Sequence, residues 1–334
     1  MIDIVYVAAI VFLPFLTPIL VIAFILANGS WLFERLRSTL TLHEDRGLAE
    51  QGLLWVSILC PFLYFLALGA ISWSGHSISL TSDGLKEFFS ISALPLGALS
   101  LSLPLSVLVS RLHATKQTAK QIEITQQKNN IDLFHSHRKE LFAYFDQIGE
   151  VKYLGCLTGK FKVHPRVHKV FFDGKPEDGV PLVNQEAFKE IERELSTARW
   201  QLDAVMRDVN PELTYSFYVA NFCSTIYRLS QKLGLPEIYE ELSEKSTLVP
   251  TKLEDKEVEL LTVGKTTDEA VAAYRYIKGY FQNLCDFAGW EPDHKEHEEF
   301  KYLETGGKFR TVKEQKVIEK LHDNEIKQAI ETKE

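Results

Sequence analysis

The sequence predicts a mainly α-helical membrane protein, with N-terminal transmembrane helices followed by a helical cytosolic domain that carries a short β/loop insertion. Three long uncharged segments within residues 1–110 are the first observation behind this prediction. The second is the distribution of charge, because residues 1–110 hold only four of the 37 Lys and Arg and seven of the 45 Asp and Glu. The net charge of −8 divides into −3 and −5, so neither part has the basic balance of a dedicated nucleic-acid-binding domain.

Residues 4–27 and 52–73 form the first two predicted spans. Neither segment contains a charged side chain, and at about 1.5 Å per residue each is long enough for a hydrocarbon layer ~30 Å thick. A cleaved signal peptide would need a basic start and a shorter apolar core, whereas the only charge before the first segment is Asp3. Trp55 and Trp73 lie near the ends of the second segment, as expected for rings at the headgroup level.

Residues 91–110 form the third predicted span, which is uncharged but contains five serines and two prolines. Packing against the other spans would satisfy backbone groups that the prolines leave free. Ala98, Ser102, Ser106 and Ser110 recur every four residues and so share one helix face. Two interpretations of this face stay open: a packing seam of small residues, and a polar stripe that lines a pore.

The basic residues of the loops predict the topology. The 28–51 loop carries three arginines, the 74–90 loop carries only Lys86, and four basic residues follow the third segment within residues 111–128. Because basic loops stay in the cytoplasm, we expect three crossings. The N-terminus would then lie outside, and the 28–51 loop and the C-terminal domain would lie inside.

Residues 111–151 predict a stalk helix that enters the globular domain, which we place at residues 152–334. Nothing in this segment breaks a helix, and its thin stripe of Ile122, Thr125 and Asn129 widens into a larger apolar face. A polar helix of this kind is often stabilised by partner helices, so a homo-oligomer is one expected assembly.

The remaining residues predict a helical domain with one irregular region. Residues 155–183 are rich in Gly and Pro, and KFKVHPRVHKVFF alternates apolar and basic side chains, which predicts a short strand pair or an ordered loop. A charged loop is expected before Thr266 and Glu269, which form a predicted capping box. The predicted helices cover residues 185–209, 212–233, 267–289 and about 311–331.

Motifs for catalysis and metal binding are missing from the sequence. There is no GxxxxGK[ST], GxSxG or HExxH, and no GxGxxG that opens a helix, so we assign no catalytic residue, no cofactor and no enzymatic activity. His164 with His168, and His294 with His297, have spacings that a metal could use. Neither pair has a second ligand pair nearby, so we expect solvated histidines and no metal. The four scattered cysteines are expected to be buried small hydrophobes.

A basic segment is the best candidate for contact with nucleic acid. Its cations are Lys160, Lys162, Arg166, Lys169 and Lys175. Phe161, Phe171 and Phe172 are interleaved with them, so the cations could meet phosphates while the rings stack on unpaired bases. The alternative is a solvated hairpin whose aromatic rings face the core.

A motif at the start of the stalk resembles a pattern found after the membrane helices of bacterial abortive-infection membrane proteins, including retron-associated membrane effectors. The family pattern is roughly QTxxQIxxTxxQN, followed by an aromatic residue, a histidine and another aromatic residue. The matching residues here are Gln117-Thr118, Gln121-Ile122, Thr125, Asn129-Asn130, Phe134, His137 and Phe142. Retron effectors of this kind are usually described with two spanning helices, so the third predicted span departs from the family.

The resemblance implies a toxin that a retron reverse transcriptase, carrying its multicopy single-stranded DNA (msDNA), holds inactive at the bacterial inner membrane. Release would damage the membrane and abort the phage infection. Gln117, Gln121, Thr125, Asn129 and His137 would then have structural or coupling roles in the stalk, and simple helix packing is the alternative for each. Two other functions stay open: a membrane-tethered sensor or scaffold without toxicity, and a membrane-anchored enzyme with an unrecognised site.

Overall fold

The computed structural model describes residues 2–26, 31–253, 256–293, 298–306, 308–311 and 317–332. The chain divides into two compact units, Met1–Gln127 and Lys128–Glu334, which we call the membrane unit and the helical unit. The division falls inside the predicted stalk, between the two boundaries expected from the sequence. The predicted fold class is confirmed, because helices dominate both units and the strands are few and short.

The membrane unit is built from helices alone among its described residues. They are α1 (Ile2–Ile25), α2 (Leu32–Leu40), α3 (Gly52–Ser72), α4 (Ser82–Ile91), α5 (Ala93–Ser100) and the first part of α6 (Ser102–Ile148). Within the ranges that the structure describes, three helices are long and apolar enough to cross a membrane: Ala8–Ile25, Gly52–Ser72 and a stretch within Ala93–Ile148. This number agrees with the prediction.

Helix α3 packs against both α1 and α5. Ile19, Ile22 and Val56 are buried where α1 meets α3, and the Tyr64 hydroxyl donates a 2.6 Å hydrogen bond to the Val11 carbonyl. The outward side chains are apolar and exposed, as in Phe24, whose exposed fraction is 79%. A surface of this composition suits lipid rather than water.

Both loops between the spans contain a short amphipathic helix that was not predicted from the sequence. Helix α4 begins where the Thr81 hydroxyl accepts a 3.2 Å hydrogen bond from the Gly84 amide. Helix α2 precedes a turn held by Gln51, whose buried amide accepts from the His43 N–H at 2.9 Å and donates to the His43 carbonyl at 2.8 Å. With nine and ten residues, α2 and α4 are too short for apolar periodicity to stand out in the sequence.

Helix α6 joins the predicted third span to the predicted stalk without an end near residue 110. The interruption lies earlier, at Leu101, between α5 and α6. Pro104 falls in the first turn of α6, where a helix has no partner for its backbone N–H groups, so the proline removes no helical hydrogen bond there.

The helical unit adds eight further α-helices and six strands among the described residues. The helices are α7 (Pro165–Phe171), α8 (Gln185–Arg207), α9 (Pro211–Ser216), α10 (Ser224–Leu233), α11 (Thr267–Ala288), α12 (Lys301–Glu304), α13 (Val317–Leu321) and α14 (Lys327–Glu331). The strands are β1 (Glu150–Tyr153), β2 (Leu157–Lys160), β3 (Phe172–Asp173), β4 (Leu182–Val183), β5 (Leu248–Leu253) and β6 (Lys256–Leu261). They pair as three separate antiparallel hairpins: β1 with β2, β3 with β4, and β5 with β6.

The core of the helical unit forms around α8, α10 and α11, and Leu141 and Phe145 of α6 also belong to it. A π-helical segment, Phe217–Cys223, joins α9 to α10, so the predicted helix over residues 212–233 is continuous. The predicted capping box starts α11, since the Glu269 amide donates to the Thr266 hydroxyl at 3.2 Å and the Thr266 amide donates to Glu269 Oε2 at 3.1 Å.

Two predictions for irregular regions need correction. The expected charged loop before Thr266 contains the β5–β6 hairpin, in which Leu248–Leu253 pairs with the neighbouring Lys256–Leu261. The alternating segment begins at the end of β2 and finishes at the start of β3, but its middle forms helix α7 and not a strand. His164 caps this helix by accepting the Arg166 amide at 3.2 Å, and Pro165 occupies the first turn. Of the predicted tail helix, Val317–Glu331 is helical and residues 312–316 lie outside the described chain.

Replacing Phe188 with Ala tests the core of the helical unit. Phe188 is fully buried and its ring lies 5.0 Å from that of Phe171 and 5.3 Å from that of Trp290. We expect Phe188→Ala to lower the free energy of unfolding by about 3–5 kcal/mol. Leu182→Ala, at a side chain that is 76% exposed, should change it by less than ~0.5 kcal/mol. Urea unfolding of the detergent-solubilised chain, followed by tryptophan fluorescence, measures both, and equal losses would contradict a core centred on Phe188.

Candidate functional site

Residues from two separately predicted sets meet in the helical unit. His137 of the stalk motif lies on α6, and His168 of the basic segment lies on α7, with His137 Nδ1 3.1 Å from His168 Nε2. Three aromatic rings surround the two imidazoles: Phe134, Phe172 and Phe287. We call these five residues the histidine junction.

The rings of the histidine junction are in direct contact. The His137 ring centroid lies 4.7 Å from that of Phe172 and 5.2 Å from that of Phe287. The His168 centroid lies 5.5 Å from that of Phe134 and 5.3 Å from that of Phe172. Helical spacing explains the α6 side, because His137 is four residues before the buried Leu141 and so faces the same core.

The junction is uncharged at neutral pH. His168 is only 3% exposed, and burial lowers its pKa to about 4, with smaller contributions from His137 and Arg138. Burial also lowers the pKa of His137. One neutral imidazole donates its N–H and the other accepts it, and two protonated rings could not share this bond. The arrangement can act as a latch between α6 and α7 that holds at neutral pH and weakens in acid.

A second contact holds α6 one turn before the junction. The Asn130 side-chain amide donates a 2.7 Å hydrogen bond to the Glu177 carbonyl. Gly179, with φ of +95°, passes the same side chain, and a Cβ at that position would lie 3.4 Å from Asn130 Oδ1. The stalk residue predicted to have a role was the neighbouring Asn129, which is exposed. The motif was informative here, but one residue away from the contact.

The other selected stalk residues divide between local and tertiary contacts. Gln117 donates to the Glu44 carbonyl at 3.4 Å and to the Arg46 carbonyl at 3.5 Å, within the membrane unit. The Thr125 hydroxyl donates to the Gln121 carbonyl at 2.7 Å, and both side chains are exposed on α6. Gln117 is thus a tertiary contact, whereas Gln121 and Thr125 have only helix-local roles in this structure.

The cations of the basic segment are exposed, and its aromatic rings are buried. All five cations are exposed: Lys160, Lys162, Arg166, Lys169 and Lys175. Among the described residues none of them has a carboxylate partner. Phe161, Phe171 and Phe172 are buried in the core, so stacking of these rings on bases does not hold. Contact between the cations and phosphates stays a prediction.

The small residues of the third span face the interior of the membrane unit. Ala98, Ser102, Ser106 and Ser110 are all half-buried, whereas Ser100 is exposed. The Ser106 hydroxyl donates to the Leu103 carbonyl at 3.0 Å, so it is satisfied within its own helix. The inward face fits a packing seam and also fits a polar stripe, and the two interpretations differ in their consequences for permeation.

The same face ends in a buried histidine that was not singled out from the sequence. His113 lies seven residues, or two helical turns, after Ser106, and its exposed fraction is 3%. Neither of its ring nitrogens has a hydrogen-bond partner among the described residues. The loop at 42–46 covers the next turn, where Lys116 Nζ lies 3.4 Å from the Leu42 carbonyl. An ionisable residue buried beside a span is a common mark of function.

The candidate metal residues have other roles or lie outside the described chain. His164 caps α7, His168 belongs to the histidine junction, and His294 and His297 lie outside the described residues. Within the described ranges, no group of three or more His, Cys, Asp or Glu is placed to hold a metal. Cys223 is fully buried, and burial raises its pKa to about 12, so this thiol is unsuited to nucleophilic chemistry.

The histidine junction predicts a pH dependence of stability. The unfolded pKa of His is about 6.5, and the folded pKa of His168 is about 4. Between these values the unfolded chain binds more protons, so the contribution of His168 to stability is complete above pH 6.5 and is lost as the pH falls towards 4. The full loss corresponds to about 3 kcal/mol. Urea unfolding at about pH 7.5 and pH 5 measures how much the free energy of unfolding changes with pH. In His168→Gln, the part of that change that comes from His168 should disappear.

His135→Gln is the matched control, because His135 lies on the same helix as His137 and is exposed. It should keep the pH dependence of the unaltered chain. The latch interpretation fails if His168→Gln retains that dependence or if His135→Gln removes it.

Comparison of the chain with protein-family models, with curated proteins and with solved structures finds no match. The residues of this chain, and the resemblance of its stalk motif, are therefore the basis for assigning a function.

Proposed function

We propose that the chain is a membrane effector toxin of a retron anti-phage system, active at the bacterial inner membrane. A reverse transcriptase with its msDNA holds it inactive, and release leads to membrane damage and abortive infection. One observation carries the proposal: the motif that resembles the family lies on α6, the helix that belongs to both units. Two of its residues, Asn130 and His137, are bound by the helical unit.

The position of the motif suggests how inhibition could be released. Gln117 is held by carbonyls of the membrane unit, and His137 is held inside the helical unit. A partner that binds the helical unit would act on α6 through the histidine junction and the Asn130 contact. The exposed α6 residues between these points leave a surface for a second copy of the chain, so a homo-oligomer is part of the proposal.

The damaging part of the molecule is proposed to be the membrane unit. Its inward face carries the half-buried serines and the buried His113, and polar groups at such depth are costly unless they serve packing or permeation. The orientation expected from the loop arginines places His113 near the cytoplasmic side. Depolarisation of the membrane is the expected activity.

The exposed cations of the basic segment are the proposed contact with msDNA. They are solvated and lack carboxylate partners among the described residues, so a phosphate backbone could approach them without displacing an ion pair. Single-stranded DNA bound through phosphates alone would show little sequence preference.

Expression of the chain without its partner should collapse the membrane potential, as reported by a potential-sensitive dye. A retained potential in dying cells would contradict the proposal. Harmless expression would instead favour a membrane-tethered sensor or scaffold. Nucleic-acid degradation by the purified chain would favour an enzyme with an unrecognised site.

A matched pair of leucine substitutions tests the inward face. Ser106→Leu adds bulk on the half-buried face, and Ser100→Leu makes the same change at an exposed position. We expect Ser106→Leu to reduce the rate of depolarisation by about 10-fold or more at equal membrane abundance, because overpacking displaces the inward face. Ser100→Leu should leave the rate within about twofold, and equal effects of the two changes would argue against an active inward face.

Neutralising two cations of α7 tests the DNA contact. Arg166→Gln with Lys169→Gln should weaken binding of single-stranded DNA by the detergent-solubilised chain. Each lost phosphate contact should also reduce the slope of log K against log salt by about 0.7. The control pair, Lys189→Gln with Lys245→Gln, removes two exposed cations elsewhere and should change neither quantity. Equal losses in both pairs would mean that binding depends on the overall charge of the chain and not on the α7 cations.

A further inference from the structure

A cavity of about 210 Å³ lies between α8 and α11 of the helical unit. Its polar lining comes from both helices and from α12: Glu192, Ser196, Arg199, Tyr274, Lys278 and Glu304. The cavity has no part in the histidine junction, in the basic segment or in the membrane unit, so a ligand bound there would be independent of the proposed effector function.

Arg199 is the first sign that this cavity holds a ligand. Its exposed fraction is 8%, and its Nε has no hydrogen-bond partner among the described residues. The nearest carboxylate contact is long, with Nη1 3.7 Å from Glu304 Oε1, and the Phe300 ring centroid lies 4.8 Å from Cζ. A buried guanidinium N–H without an acceptor is costly. An acceptor inside the cavity would remove that cost.

The other charges of the cavity decide what kind of acceptor fits. Lys278 Nζ lies 2.5 Å from Glu304 Oε2, so these two groups neutralise each other. Glu192 is buried and accepts a 2.7 Å hydrogen bond from Trp290 Nε1. The indole that donates this bond carries no charge. The lining therefore holds two cations and two carboxylates. A simple anion would meet the carboxylates, and a simple cation would meet Arg199 and Lys278.

A molecule that carries both signs can pair with Arg199 and with Glu192 at the same time. We propose that the cavity binds a small zwitterion of the amino-acid class, with its carboxylate on Arg199 and its ammonium facing Glu192. The bidentate geometry of a guanidinium suits a carboxylate. The Tyr274 hydroxyl donates to Glu304 Oε1 at 3.4 Å, so its oxygen can accept from the ligand, and the Ser196 hydroxyl can donate or accept.

The size and the walls of the cavity agree with this class of ligand. A cavity of ~150 Å³ can hold benzene, so a cavity of about 210 Å³ has room for a small amino acid. Leu195 and Phe281 give an apolar wall for a side chain. A groove of about 320 Å³ shares Ser196 and Arg199 with the cavity and passes Trp200, which offers a way in from the surface.

The test is calorimetric titration of the detergent-solubilised full chain with each of the standard free amino acids. Acetate, methylammonium and inorganic phosphate are titrated in the same way. We expect at least one amino acid to bind with a stoichiometry of one. Acetate, methylammonium and phosphate should bind more weakly by about 10-fold or more, because each satisfies only one sign of charge. The proposal is overturned if no amino acid binds, or if acetate or phosphate binds as tightly as the best amino acid.

Four variants locate the binding. Arg199→Gln and Glu192→Gln should each weaken it by about 10-fold or more, and the latter keeps a carbonyl for Trp290. Arg193→Gln, at an exposed arginine on the same helix, should leave it unchanged. Ser196→Leu fills the cavity and removes no charge, so it should abolish binding even if Arg199→Gln fails to fold. Unchanged affinity in Glu192→Gln or Ser196→Leu contradicts the assignment.

Discussion

The membrane unit depends on one constraint: its backbone N–H and C=O groups must all be hydrogen-bonded in a medium without water. Within hydrocarbon each unpaired N–H or C=O group costs several kcal/mol, so an uncharged segment of about twenty residues must be helical along its length. Helices α1 and α3 meet this requirement and pack together, with apolar side chains outward. The half-buried Ser102, Ser106 and Ser110 of the third span lie on the inside of the unit, together with the buried His113.

The same helical geometry continues beyond the apolar segment. Helix α6 carries the third span, then a polar region that is exposed on nearly every side, and then the face that joins the core of the helical unit. Its polar region is held near both ends, by Gln117 in one unit and by Asn130 and His137 in the other. Helix α6 is thus a continuous element that belongs to both units.

Features that depend on local sequence could be predicted, and those that depend on distant residues could not. The uncharged spans and the Thr266–Glu269 capping box need only neighbouring residues, and both are present. The alternating segment was expected to form a strand pair or an ordered loop, and strands are present at its two ends, but the cap at His164 starts helix α7 between them. The partnership of His137 with His168 and the cavity beside Arg199 each join residues that no spacing rule connects. The β5–β6 hairpin is local, with Leu253 paired to Lys256, but its many charged residues led to the expectation of a loop.

From the charges of its loops, we propose that the chain crosses the membrane three times, with the helical unit in the cytoplasm. Reporter fusions test it most directly, because alkaline phosphatase is active only outside the cytoplasm and green fluorescent protein is fluorescent only inside it. Phosphatase inserted after Leu80 should be active, and green fluorescent protein at the C-terminus should be fluorescent. Fluorescence from both positions, or phosphatase activity at the C-terminus, would contradict the three-span topology.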